Sequence, residues 1–405
     1  MSASVRIAVT GIGVVSALGP SSVEFLEGLR ESRCGIRPLE LFDTEGCLSN
    51  LAGEAPTPII QDDARHRRLS RSDRFCIVAA AEALGQAGLS ADGELDRFGI
   101  SLGCCTAGML EGEQAYAKAW EESWGQAPIS DFLHVLTNSP ADAVARFTGI
   151  SGPRLSNMTA CASGSLAIGL AADLIRDGDV VGMVAGGGDA LCGLTYSGFN
   201  SLRLISPEPC RPFDADRNGM SLGEGAGMLV LEDWEHALSR GALPLAEFLD
   251  YGTSCDAHHM TSPHPGGRGA LAAMRQALER SGVTPAEVDY INAHGTGTHS
   301  NDSTEVKAIL SLFGQRTDRV LVSSTKSMVG HLLGGAGGIE AVAVVLAIKH
   351  SLVPPTLGML QPEEGERIDF VPDHAMRKRL RVAISNSFGF GGANACLVFR
   401  DCERP

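Results

Sequence analysis

Two stretches limit what this chain can fold into. Residues 166–175 and 334–348 are small-sided and apolar on almost every side. A helix at a protein surface keeps a polar face, so a helix apolar all round has to be buried. The first ends at Asp177-Gly178, with glycine just past the last apolar residue, a helix stop. Both belong to a repeated order of helix, strand, turn, buried helix and glycine-rich strand, which occupies 75–191 and recurs in 266–399. Helix 75–87 matches 269–281, strand 98–103 matches 288–293, and strand 320–323 runs into Thr325-Lys326-Ser327 before the second buried helix. The last strand of each unit, from Asp179 and from Arg381, carries a run of glycines. Two apolar helices in matching places imply one central helix layer shared by two sheets. Strands alternating with helices imply an α/β fold with mixed, mostly parallel sheets. No Pro/Ser-rich linker intervenes, so 1–245 and 246–405 read as two halves of one body, dividing near Leu243-Pro244.

The turns of this repeat carry the chemistry. Cys161 stands where a short polar strand gives way to the first buried helix. Unpaired N–H groups and the positive dipole end of a helix favour a thiolate there. A cysteine between alanines is otherwise most often a small buried hydrophobe. Asn292-Ala-His294-Gly-Thr296-Gly-Thr298 puts a histidine at a strand end, followed by glycines and hydroxyls. Ser324-Thr325-Lys326-Ser-Met-Val-Gly330-His331 puts a lysine and a histidine before the second buried helix. Asn386-Ser-Phe388-Gly-Phe390-Gly-Gly392 is a flexible aromatic loop, and Cys210-Arg-Pro-Phe-Asp214 braces the region. A lone histidine is usually structural, but a cysteine, two histidines and a lysine at matching turns of one repeat point to a shared site.

Other features point to bland readings. Thr10-Gly11-Ile12-Gly13 opens like a dinucleotide fingerprint, but Ser16 stands where the third glycine belongs and no acidic residue ends a second strand at the expected distance. These glycines are read as a tight turn after strand 5–9. His258, His259 and His264 lack an acidic or cysteine companion, so no metal is assigned to them. Asn157-Met-Thr159 and Asn301-Asp-Ser303 fit a glycosylation pattern that a cytosolic chain would never use.

A net charge of −15 disfavours nucleic acid, and any acidic partner too unless basic residues gather locally. They do gather in 62–74, which holds Arg65, Arg67, Arg68 and Arg71; the plain reading of such a run is a solvated helix end. The 11 cysteines include no C-x-x-C pair, and no secretory leader is read, so reduced thiols in a cytoplasmic protein are expected. The longest apolar run, 341–348, is too short to span a bilayer, so no membrane partner is expected.

Taken together, these motifs resemble an elongating β-ketoacyl-[acyl-carrier-protein] synthase, a type II condensing enzyme of the thiolase superfamily. The resemblance covers the chain from its first strand beyond Asn394, and rests also on Ser323-Ser-Thr-Lys-Ser-Met and Gly330-His-Leu-Leu-Gly. It implies a thiolase-like five-layered αβαβα fold and an acyl carrier protein as partner. It also implies a homodimer or a heterodimer with a related ketosynthase-like subunit, and no cofactor beyond the carrier's phosphopantetheine. It assigns Cys161 as nucleophile, His294 and His331 as donors to an enolate, and Lys326 as their neighbour. Phe390 becomes gate and oxyanion-hole residue, with 256–265 as its partner loop. Thr296 and Thr298 would hold the pantetheine arm; Thr261, Phe199 and Ala107 would line the substrate path, Ala107 at the mouth of an acyl pocket for medium or long chains. Arg65, Arg67, Arg68, Arg71 and Arg203 would dock the carrier. Chain-length factors lack the cysteine, starter synthases pair Cys and His with Asn, and thiolases carry a second cysteine where Phe388-Gly-Phe390 stands here. The alternative is a non-catalytic or decarboxylase-only carrier-binding subunit with a vestigial cysteine.

Overall fold

The computed structural model describes residues 5–60, 69–90, 95–126, 132–314, 317–363 and 368–402. Its main sheet has eleven strands. In spatial order these are Asp369–Phe370, Leu321–Ser323, Tyr290–Asn292, Val382–Phe388, Ala393–Arg400, Ala246–Cys255, Ile7–Val15, Gly225–Asp233, Gly182–Asp189, Phe98–Gly103 and Arg154–Asn157. The six strands from the C-terminal part meet the five from the N-terminal part through only three residue pairs, Ile7↔Phe248, Ala8↔Glu247 and Val9↔Ala246.

The two buried helices are Ser163–Arg176 and Ala336–His350. They pack on each other and each touches strands from both parts of the sheet. Helices Arg71–Gln86 and Ser139–Thr148 cover the outer face of one part, and Arg268–Ser281 and His299–Phe313 that of the other. Helix, sheet, helix, sheet, helix is the five-layered order expected. Small side chains are what allow the middle layer. A Cβ on Gly164 would lie 2.8 Å from Gly338 N, so the two central helices meet backbone to backbone. The stretch Leu333–His350 is long and apolar enough to cross a membrane, and here it lies inside the protein.

Two expectations change. The outer strands pair in parallel, but the middle ones pair antiparallel, and five of the ten pairings are antiparallel. In the C-terminal part Val382–Phe388 and Ala393–Arg400 form a hairpin, and in the N-terminal part Gly225–Asp233 lies antiparallel between Ile7–Val15 and Gly182–Asp189, neither of which alternation of helix and strand reveals. The first strand also runs straight through the glycines, Ile7 to Val15, in place of the tight turn expected there. Gly11 and Gly13 are there for close approach: a Cβ on either would sit about 2 Å from the Ala83 or Ala79 carbonyl oxygen of the Arg71–Gln86 helix.

Candidate active site

Cys161 follows the edge strand Arg154–Asn157 and lies two residues before the first residue of its helix. The residue before it, Ala160, has φ +48, a left-handed conformation that a non-glycine residue keeps only when its surroundings hold it. Ser163 does the holding. Its hydroxyl donates to the Ala160 carbonyl at 2.6 Å and accepts the Thr159 N–H at 2.8 Å. The turn is thereby fixed and Cys161 is left facing a cleft of about 240 Å³.

His294 reaches the same cleft from the end of strand Tyr290–Asn292. Two carboxylates on the helix that follows shape its loop. Glu305 accepts the N–H groups of His294 and Gly295 at 2.9 and 2.8 Å, and Asp302 accepts those of Thr296 and Gly297. The Thr296 and Thr298 hydroxyls, 2.9 Å apart, line the cleft. His331 comes from the turn before the second central helix. The reactive atoms of Cys161, His294 and His331 all lie within 4.8 Å of one another.

Hydrogen bonds settle which ring nitrogen of each histidine faces the cleft with a proton. Lys326 Nζ lies 3.2 Å from His294 Nδ1, and the Leu333 N–H donates to His331 Nδ1 at 3.2 Å. Each Nδ1 is therefore an acceptor, and each Nε2 carries the hydrogen. Burial first, then Lys326, holds both imidazoles well below the ordinary histidine pKa, so they are neutral donors. Lys326 also pairs with Glu340. Burial pushes that carboxyl up to about 6, with Lys326 pulling it back.

The cysteine is less acidic than its place in sequence suggests. Burial pushes the Cys161 thiol up to about 11, against the pull of Lys326 and of the Phe390 and Cys161 N–H groups. Desolvation outweighs the turn, and the resting group is a thiol. Cys161 and Phe390 line the same cleft. The Phe390 ring leans on Phe199, centroids 5.6 Å apart, and both line the cleft. Gly391, φ +78, has open space around it and hydrogen-bonds Met260 in the 256–265 loop. Thr261 of that loop also lines the cleft, and Asp256 ties the loop to Gly392 and Asn394.

Several assignments fall elsewhere. Arg71 is not a docking residue: it is 8% exposed, its Nε is 2.8 Å from Glu224, and it also bonds the Ala55 carbonyl. A run of basic residues does not show which of them turns inward. Arg203 is exposed, while Arg65, Arg67 and Arg68 lie outside the described residues. Ala107 is fully buried with φ +46, its N–H on Asp189, and does not line the cleft. Sequence reasoning does not find Glu305, Asp302 or Glu340. The one signal for Glu340 is a carboxylate inside an otherwise apolar helix.

Among the described residues, the group within metal-ligand reach is Cys161, His294 and His331, not the loop histidines. Their N/N/S donor set has zinc-like chemistry, but the Lys326 ammonium beside His294 opposes a divalent cation.

A buried helix pair between two half-sheets, with a cysteine turn and two fixed imidazoles at one end, defines a thiolase-like protein. The family model described as Beta-ketoacyl synthase, N-terminal domain, matches residues 4–237, and Beta-ketoacyl synthase, C-terminal domain, matches 245–360. The chain belongs to the β-ketoacyl synthase family. It is 40% identical to 3-oxoacyl-[acyl-carrier-protein] synthase 2 of Synechocystis sp., over 98% of each chain. The solved ishigamide ketosynthase/chain length factor superposes with TM-score 0.93 at 34% identity, over 99% of this chain and 100% of that one. A type II PKS ketosynthase solved with its acyl-carrier protein and bound to the hexaketide gives TM-score 0.91 at 29% identity, over 99% and 100%.

Proposed function

We propose that this chain is an acyltransferase that condenses an acyl group, held as a Cys161 thioester, with malonyl-acyl-carrier-protein by decarboxylative Claisen chemistry. The observation that carries the reading is the convergence of one thiol and two neutral imidazoles, with one reactive atom of each within 4.8 Å of the others and each imidazole fixed from behind through Nδ1.

In the first half-reaction Cys161 Sγ attacks the acyl thioester of the carrier. The new C–S bond forms as the bond to pantetheine sulfur breaks, and the thiol proton ends on the leaving pantetheine thiol. The Phe390 and Cys161 N–H groups stabilise the tetrahedral oxyanion; one such donor is typically worth ~3 kcal/mol. In the second, the carboxylate–carbon bond of malonyl-carrier breaks and CO₂ leaves. The electron pair moves into the thioester as an enolate whose oxygen takes hydrogen bonds from His294 and His331. The enolate carbon attacks the Cys161 thioester, the C–S bond breaks, and the departing thiolate takes a proton from solvent. The product is a β-ketoacyl-carrier. Lys326 acts from behind, fixing the His294 tautomer and adding positive field.

Phe390 between glycines, against Phe199 and the 256–265 loop, supports a gate between the two half-reactions. Thr296, Thr298 and Thr261 line the route for the pantetheine arm. The carrier would dock near Arg203, and the chain would act as a homodimer or with a ketosynthase-like partner; a ketosynthase with its chain length factor and a ketosynthase with its acyl-carrier protein are the precedents among similar proteins. No cofactor beyond carrier-bound phosphopantetheine is required by this chemistry, and a cytoplasmic setting fits it. We take 1–245 and 246–405 as its two halves, one supplying the thiol and the other the donors.

The test is reconstitution with acyl-carrier and malonyl-carrier thioesters. Formation of β-ketoacyl-carrier, lost in Cys161→Ala, supports the reading. CO₂ release without any acyl-enzyme or condensation product would favour the decarboxylase-only alternative.

A further inference from the structure

Asp189 ends strand Gly182–Asp189 and is wholly buried. Its partners come from two different walls of the site. Oδ1 accepts the N–H groups of Thr106 and Ala107 at 2.7 and 3.1 Å, the Thr106 hydroxyl at 2.9 Å and the Cys104 thiol at 2.9 Å. Oδ2 accepts the N–H of Cys105 at 2.9 Å and of Gly334 at 2.7 Å. The first set forms the turn behind the nucleophile: Cys105 Sγ lies 3.3 Å from the carbonyl of Ala160. The last bond reaches across to the segment that carries His331.

The backbone next to that bond is strained. Leu333 has φ +50, and leucine gains nothing from a left-handed conformation. Such a residue persists only where its surroundings over-determine it. On one side its own N–H donates to His331 Nδ1 at 3.2 Å. On the other, the next N–H, that of Gly334, is anchored on Asp189. Gly334 has no room for a side chain there, since its Cβ would sit 2.8 Å from Asp189 Oδ2.

We propose that Asp189 is a positioning residue for His331: by anchoring Gly334 it holds Leu333 in the conformation that aims its N–H at Nδ1, and so fixes His331 as an Nε2–H donor. This rests on the reading above, in which His331 donates to the malonyl thioester oxygen. The two oxygens share the work unequally. Oδ1 takes every bond of the turn beside Cys161, the Cys105 N–H included at 3.0 Å, whereas Oδ2 shares that N–H and alone takes the Gly334 N–H.

That division supplies the test. In Asp189→Asn the amide oxygen serves the crowded Oδ1 side, and the NH₂ then meets the Gly334 N–H, donor against donor. In a Cys161→Gln parent, Asp189→Asn is expected to lower CO₂ release from malonyl-carrier by roughly a hundredfold, the scale of one lost donor. With Cys161 intact, acylation of the same variant should stay within about threefold, because a donor lost at the enolate site is not used in that step. Gly334→Ala, which pushes the same two groups apart, should show the same split and covers the case in which Asp189→Asn does not fold. NMR of the imidazole nitrogens should show His331 as a single Nε2–H tautomer in the unmodified chain and as a mixture in either variant. Unchanged CO₂ release, or a parallel fall in acylation and CO₂ release with the tautomer intact, would overturn the proposal. A Cys161→Gln parent that releases no CO₂ would instead count against the proposed function, and the tautomer measurement would still decide the role of Asp189.

Discussion

Lys326 Nζ lies 3.2 Å from His294 Nδ1 and on its other side pairs with Glu340, a carboxylate from the middle of a central helix. All three are buried. The ammonium has a fixed counter-ion, so it cannot swing away, and the imidazole in front of it has one tautomer. The cost of burying two charges is offset only while both partners remain, and losing one leaves an uncompensated ion.

Lys326→Met should therefore do two things. CO₂ release in a Cys161→Gln parent should fall by about a hundredfold, as the His294 donor loses its fixed tautomer. Acylation of Cys161 should slow as well, because Lys326 is the largest influence holding the thiol down from a still higher pKa. Stopped-flow acylation and CO₂ assays read the two separately. Equal rates with and without Lys326 would remove it from the site.

The decarboxylation rate should show an acid limb that belongs to Glu340. Burial pushes its carboxyl up to about 6 against the pull of Lys326. Below that it is protonated and Lys326 loses its counter-ion; above it the pair is intact. Activity should rise with pH through about 6, whereas His294 and His331 stay neutral because burial holds both well below the ordinary value. Glu340→Gln should lower the plateau and abolish the limb. A limb that keeps its midpoint in that variant belongs to another group.

Cys161 should react as a reluctant thiol. With a pKa pushed up to about 11, its thiolate fraction grows roughly tenfold per pH unit across the neutral range. Iodoacetamide labelling, followed by peptide mapping of Cys161, should still be accelerating at about pH 9. A plateau below about pH 8 would mean that the helix end and the N–H groups overcome desolvation after all.

Arg71 and Arg203, both docking candidates by sequence, should separate cleanly. Arg71→Ala leaves Glu224 buried without its partner and should cost ~3–5 kcal/mol of stability, seen as a lower Tm. Arg203→Glu should leave Tm unchanged and raise KM for carrier-borne substrate, more so at low salt. The reverse pattern would contradict the burial of Arg71 and the exposure of Arg203.

How much of the site is legible in the sequence depends on which contacts are local. Cys161, His294, Lys326 and His331 stand at strand ends of a repeat, so periodicity and turn chemistry are enough to locate them. The central helix layer between two sheets follows from two helices that have no polar face, and the full five layers from the resemblance to the family. The groups behind the site are harder to see. Glu305 and Asp302 act on backbone N–H groups, Asp189 on a turn far away in sequence, and carboxylates doing this look like any acidic residues. Gly11 and Gly13 mislead because a glycine kept for close helix approach has the same letter as one kept for a turn. Ala107 is placed only by analogy with a turn, and no pattern in 104–109 says which side chains face a cavity.

The most direct measurement is the intact mass of the protein after incubation with an acyl-carrier thioester, followed by peptide mapping. The account predicts one acyl group, on Cys161 and not on any other of the 11 cysteines, discharged as β-ketoacyl-carrier when malonyl-carrier is added. An adduct on a different residue, or an acyl-Cys161 that malonyl-carrier leaves untouched, would contradict it.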